Sequence, residues 1–125
     1  MTAVQWLNSL RVTHFAINQL GLRRVLSAAL DRFPEKFRTY TLEHLFGDVW
    51  QGEALALEER SLVTCTILVA LAREPEQRFH FAAARRLGIG RDKLVEMITH
   101  AAHYAGWPNA VGALRSLEEV WPTSE

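Results

Sequence analysis

His80 lies in the stretch EQRFHFAAARRLG, and imidazole is the side chain whose ordinary pKa lets it give and take a proton near neutral pH. On a helical wheel His80, Ala83, Ala84 and Leu87 form one stripe, while Arg78 and Arg85 point elsewhere. A histidine on such a stripe is either a hydrogen-bonded core residue or a proton carrier kept out of bulk water. A second concentration of chemistry follows at Glu96, His100 and His103, spaced i, i+4 and i+7 beside an apolar stripe of Leu94, Met97, Ile98 and Ala101. Three readings fit it. It is a solvated face, or a carboxylate orienting an imidazole for acid–base work, or two histidines and a carboxylate of a zinc site. The spacing departs from H-E-x-x-H and no independent ligand is identifiable, so no metal is assigned.

The elements that must hold these residues all read as helices. Apolar residues recur at three- and four-residue spacing, and no stretch alternates with period two. Helices are expected over Val4–Leu20, Leu22–Phe33 and Pro34–Phe46, followed by a glycine-bearing loop, FGDVWQGEALA. The Leu57–Ala72 stretch is the clearest helix, with Leu62, Cys65, Val69 and Ala72 on one face and Glu58 and Glu59 in the first turn, where the helix dipole favours anions. The His80 helix starts around Pro75, a first-turn proline that loses no hydrogen bond, and stops at Gly88 as a left-handed cap. Gly90 and Asp92 open the next helix and Gly106 ends it; WPNAVGALRSLEEVW forms the last, closed by Pro122. The expectation is one all-α domain over 1–125, a bundle of about six helices.

Bulk composition narrows the function. The chain has 125 residues, 49% hydrophobic and 22% charged, with 14 basic residues against 14 acidic ones, an ordinary globular balance with no cationic stripe for nucleic acid. Cys65 is the only cysteine, which excludes an intrachain disulfide and a Cys-rich zinc site and suits a reducing compartment. No signal-like start is present, and the longest apolar run, Leu62–Ala72, is far short of the ~20 residues that span a bilayer. A cytoplasmic protein with neither nucleic-acid nor membrane partners is expected. Four Trp and six Phe exceed what a small helical core hides easily, so some aromatic surface is expected to meet a second copy.

The stretch from Leu55 to Leu114 resembles the carboxymuconolactone decarboxylase family, through R-S-L-V-T at 60–64, R-x-H at 78–80, the Gly88–Glu96 spacing and Y-x-G-x-P at 104–108. FGDVW at 46–50 is similar to the W-G-x-V-W of its decarboxylases; residues 1–45 match weakly, leaving 46–121 as the family-like core. The family's alkylhydroperoxidase D-like branch carries a C-x-x-C and a relay glutamate before its histidine. The corresponding positions here are Arg73, Glu76 and Ser61, so a thiol peroxidase is not expected, and Cys65 reads as core packing.

The resemblance implies an alkylhydroperoxidase D-like helical fold in a trimeric or hexameric ring. It also implies a lyase of aromatic-compound catabolism that removes carbon dioxide from a small carboxylated lactone without a cofactor. An isomerase or cyclase using the same enolate, and a non-catalytic binder, are the alternatives. His80 is the candidate proton carrier, His100 its substitute, and Glu96 the carboxylate that orients either. Arg73 and Arg78 are candidates for pairing with a substrate carboxylate or are surface arginines. Tyr104 is a candidate oxyanion donor or a core tyrosine, and Trp50 and Trp107 are packing or pocket wall. Trp107 stands where family members often have a smaller residue, and Asn109 is similarly atypical.

Overall fold

The computed structural model describes residues 30–123. The expected Val4–Leu20 helix lies outside them, and of Leu22–Phe33 only the end is described: Leu30 is helical and the chain turns through residues 31–33. The described residues are helical with no strand. A division into two compact units falls after Leu57.

In the first unit Pro34 precedes a short helix α1, Glu35–Thr39, which widens into π-helical turns over Tyr40–Phe46. A single α-helix over Pro34–Phe46 was the sequence expectation. The wider turns coincide with Thr41 Oγ1 donating to Phe37 O at 2.8 Å, a side chain competing for a ladder carbonyl. A 3-10 turn, Val49–Gln51, follows. Gln51 Nε2 donates to Phe46 O at 2.8 Å, and the Trp50 ring stands tilted 6.0 Å from that of Phe46.

The second unit is built from α2, Leu57–Ala70, α3, Glu74–Arg86, α4, Arg91–Ala105, and α5, Trp107–Val120. Cys65 and Val69 of α2 are fully buried as the wheel requires, but Ala72 is not on that face. The helix stops two residues before it, and Ala72 sits in the left-handed region at φ 57. Arg73 N bonds Leu68 O and Ala72 N bonds Val69 O, the paired bonds of a Schellman cap.

The same cap ends α3, where Ile89 N reaches Ala84 O and Gly88 N reaches Arg85 O, with Gly88 at φ 89. Gly106, at φ 105 and ψ 143, is both the end of α4 and the cap of α5. That conformation is open to glycine and almost nothing else.

The core joins all four helices. Phe81 of α3, Leu94 and Ile98 of α4, and Ala113 and Leu117 of α5 are inaccessible and pack with Cys65 and Val69. On α3 the buried residues are Gln77, Phe81, Ala83 and Ala84, so Ala83 and Ala84 of the expected His80–Ala83–Ala84–Leu87 stripe are buried while the face is rotated toward Gln77 and Phe81, leaving His80 and Leu87 at its margin. Phe81 removes the largest apolar area from water, so it takes the centre, and His80, one position before, stands at its edge. Small residues on α5, Ala110, Gly112, Ala113 and Ser116, are buried and let α3 approach. A Cβ on Gly112 would stand 2.8 Å from Glu74 Oε1 of α3.

Truncating Phe81 leaves a hole at the meeting point of these helices. Phe81→Ala should lower the unfolding free energy by about 3–5 kcal/mol, read as a shift in the urea midpoint at an unchanged m-value.

Candidate active site

The corner between α2 and α3 positions His80. The carbonyl of Leu68 accepts from Arg73 N at 2.9 Å and from Gln77 Nε2 at 3.0 Å, so the end of α2 holds the first turn of α3. Cys65 Sγ donates to the carbonyl of His80 at 3.6 Å, a second tie from α2. Gln77 is fully buried, and its Oε1 has no partner among the described residues. Burial pushes the Cys65 thiol up to about 12, against a smaller lowering by a hydrogen bond from Ser61. It therefore stays protonated and inert, consistent with its place in the core.

His80 is half-buried, whereas His44, His100 and His103 are exposed. Its ring meets that of Phe79 edge-on, centroids 5.0 Å apart at 89°. Burial holds the imidazole below its ordinary pKa, while the carboxylate of Glu76, one turn earlier, pulls the other way. Glu76 itself is held below the usual carboxylate range, mainly by the Arg73 guanidinium, whose Nη2 donates to Glu76 Oε1 at 2.6 Å. The site thus carries a neutral imidazole at pH 7 with an anion beside it, able to accept a proton or, once charged, to act as a stronger acid than free imidazole.

A separate arrangement lies on α4. Glu96 and His100 line an open groove of about 450 Å³ with Lys93, Met97, Leu62 and Thr66. Lys93 is missing from the reading of the sequence, although its i, i+3, i+7 relation to Glu96 and His100 puts the three on one face. The groove has ammonium, carboxylate and imidazole over an apolar floor, a combination that can pair with a small carboxylate. His103, the third member of the expected cluster, is not among its lining residues. Its Nδ1 lies 2.9 Å from Thr99 O and its ring meets Trp107 edge-on at 6.0 Å. Among the described residues no three His, Cys, Asp or Glu side chains converge as metal ligands would.

The remaining expected residues are dispersed. Arg73 is engaged by Glu76, and Arg78 reaches across to Glu119 of α5. Tyr104 and Trp107 are 82% and 63% exposed, so neither is core; the Tyr104 ring lies 5.1 Å from that of His100. Trp50 belongs to the first unit. Asn109 acts structurally, its Nδ2 donating to Ala70 O at 3.0 Å and Ala105 O at 3.2 Å, which joins the ends of α2 and α4. Glu76 went unnoticed as a neighbour of His80, though a carboxylate four residues before a helical histidine was a readable signal.

This all-helical scaffold, with a histidine at its α2–α3 corner, agrees with the comparisons. The profile of the carboxymuconolactone decarboxylase family matches residues 35–119, reaching further upstream than the sequence motifs alone. The chain is 38% identical over 92 residues to a 4-carboxymuconolactone decarboxylase of Acinetobacter baylyi, covering 74% of this chain and 69% of that protein. It is 31% identical over 72 residues to a nitrosuccinic acid decarboxylase of Metarhizium robertsii, covering 58% of this chain and 50% of that one. The chain belongs to the carboxymuconolactone decarboxylase family.

Two stability measurements test the geometry. Left-handed φ at Ala72 costs an L-residue about 1–2 kcal/mol, and glycine's extra freedom when unfolded takes back part of the relief. Ala72→Gly should therefore stabilise by about 0.5–1 kcal/mol, seen as a raised urea midpoint. For His80 the folded pKa lies below the unfolded value, so the unfolded chain binds more protons in the window between them. Stability should fall as pH drops below about 6.5 and level off beneath the folded pKa. Urea titrations from pH 7.5 to 5 should show a shallower decline in His80→Asn.

Proposed function

We propose that this chain is a cofactor-independent carboxy-lyase acting on a small carboxylated lactone, or on another acid whose departing electron pair has a nearby sink. Membership of the family and the names of two relatives support loss of carbon dioxide. The chemistry those names share narrows the substrate. A conjugated lactone carbonyl takes the electron pair as a dienolate, and a nitro group next to the carboxylate takes it as a nitronate. Either is an internal sink, so neither reaction demands an external one.

The observation that carries the reading is the half-buried imidazole of His80, the described histidine that is withheld from bulk water. The bond between the carboxylate and its carbon breaks, carbon dioxide leaves, and the pair flows to the sink oxygen. The imidazolium of His80 then delivers a proton to carbon as the pair returns, and the ring is reprotonated by solvent. The sum is one carboxylate and one proton in, one C–H bond and one carbon dioxide out. A bound anionic substrate raises the depressed imidazole pKa by Coulomb attraction, charging the acid where it is used.

A second assignment is favoured by the α4 groove. There His100 is the donor, Glu96 its orienting carboxylate and Lys93 the partner of a substrate carboxylate. Exposed aromatics at Tyr104 and Trp107 support assembly with further copies, so a homo-oligomer is part of the proposal.

Carbon dioxide release from 4-carboxymuconolactone and from nitrosuccinate tests the reaction, and an enolate isomerase would turn over lactone without releasing gas. His80→Asn should cut kcat by roughly 10²–10⁴, with His100→Asn affecting it far less. The reverse ranking favours the groove, and full turnover in both rejects imidazole catalysis. The sign with pH is fixed: kcat/KM should fall as pH rises through the free enzyme's His80 pKa, below about 6.5.

A further inference from the structure

The α2–α3 corner holds a carboxylate that this reaction scheme leaves unused. Glu76 Oε1 is taken by Arg73 Nη2 at 2.6 Å. The carboxylate is 43% exposed as a side chain and also meets its own backbone N–H, but its Oε2 is covered and meets no donor of another described residue. An ordinary surface ion pair leaves the second oxygen to water, and such pairs contribute little. A covered carboxylate oxygen that meets no other residue's donor has room for one more hydrogen bond.

The candidate donor is one turn away. Residues i and i+4 of a helix stand one above the other, and helical side chains lean toward the N-terminus, so a ring at position 80 covers the turn that carries position 76. The corner is held from several sides: by the Schellman bonds around Ala72, by Gln77 on Leu68 O, and by the Cys65 thiol on the His80 carbonyl. What α2 brings to His80 is the neutral thiol of Cys65, itself bonded to Ser61. Toward α5, Arg78 is engaged by Glu119 and Glu74 stands 4.0 Å from Arg115. The charge whose field acts on the imidazole is that of Glu76.

We propose that Glu76 is a positioning residue for His80: with Oε1 clamped by Arg73, Oε2 accepts one ring N–H as the imidazolium forms, fixing the ring and leaving its other nitrogen to carry the transferable proton. The inference rests on the reading of His80 as proton carrier. It gives Arg73 a role one step behind the chemistry, orienting the carboxylate and not touching substrate. It also explains why a strained left-handed alanine is tolerated immediately before Arg73: the corner fixes the clamp.

The experiment is an NMR titration of the His80 ring in the full-length, substrate-free protein, paired with turnover on the lactone. Glu76→Gln keeps the shape and removes the charge. It should lower the His80 pKa further, alter its tautomer ratio and reduce kcat by roughly ten- to a hundredfold with KM little changed, less than the ~10²–10⁴ of losing the acid itself. Arg73→Lys, which keeps the charge but loses the fork, should fall between wild type and E76Q. A His80 titration identical in E76Q and wild type overturns the inference, as does a shifted titration with kcat intact. Full turnover in His80→Asn instead sinks the proton-carrier reading, a result the E76Q titration cannot mimic.

Discussion

The carbonyl of Leu68 takes two donors, Arg73 N and the amide of Gln77, and the placement of α3 follows from that oxygen. A helix needs a direction and a rotation about its axis. The Schellman cap at the end of α2 sets the direction, and buried Gln77 sets the rotation. With Gln77 turned inward, Phe81 one turn later enters the core and His80, roughly 100° around the axis, stands at the core's edge. An imidazole there is desolvated enough to be neutral at pH 7 and still adjoins Glu76.

That arrangement has costs. Ala72 adopts φ 57 without being glycine, and Gln77 Oε1 is buried unpaired among the described residues. Each costs on the order of 1–3 kcal/mol, comparable to what burying one large apolar side chain contributes. The core of Phe81, Leu94, Ile98 and Leu117 supplies that stabilisation. Surface pairs such as Arg91–Glu118 and Arg78–Glu119 link the end of α5 to α4 and α3, and exposed pairs of this kind contribute little to stability.

The position of the thiol bears on the chemistry of the family. Cys65 faces the core, bonded to a backbone carbonyl and pushed up to about 12 by burial. On the far side of the α2–α3 corner, Arg73 and Glu76 form a salt bridge.

Helix periods, Pro75 in a first turn, and Gly88 and Gly106 as caps were all legible in the sequence, because backbone geometry restricts which residues fit there. So was the apolar stripe of α4, since one helix carries its whole pattern locally. The end of α2 was not: nothing in an alanine announces a left-handed conformation, and only the bonds from Ala72 and Arg73 impose it. The rotation of α3 was legible only in part: Ala83 and Ala84 are buried as expected, but a stripe that adds His80 and Leu87 and one that adds Gln77 and Phe81 are both acceptable on a helix. The choice between them belongs to α2, whose Leu68 carbonyl supplies the partner that lets a glutamine be buried. Periodicity names the residues that can do chemistry, but which face they occupy depends on hydrogen bonds made across helices.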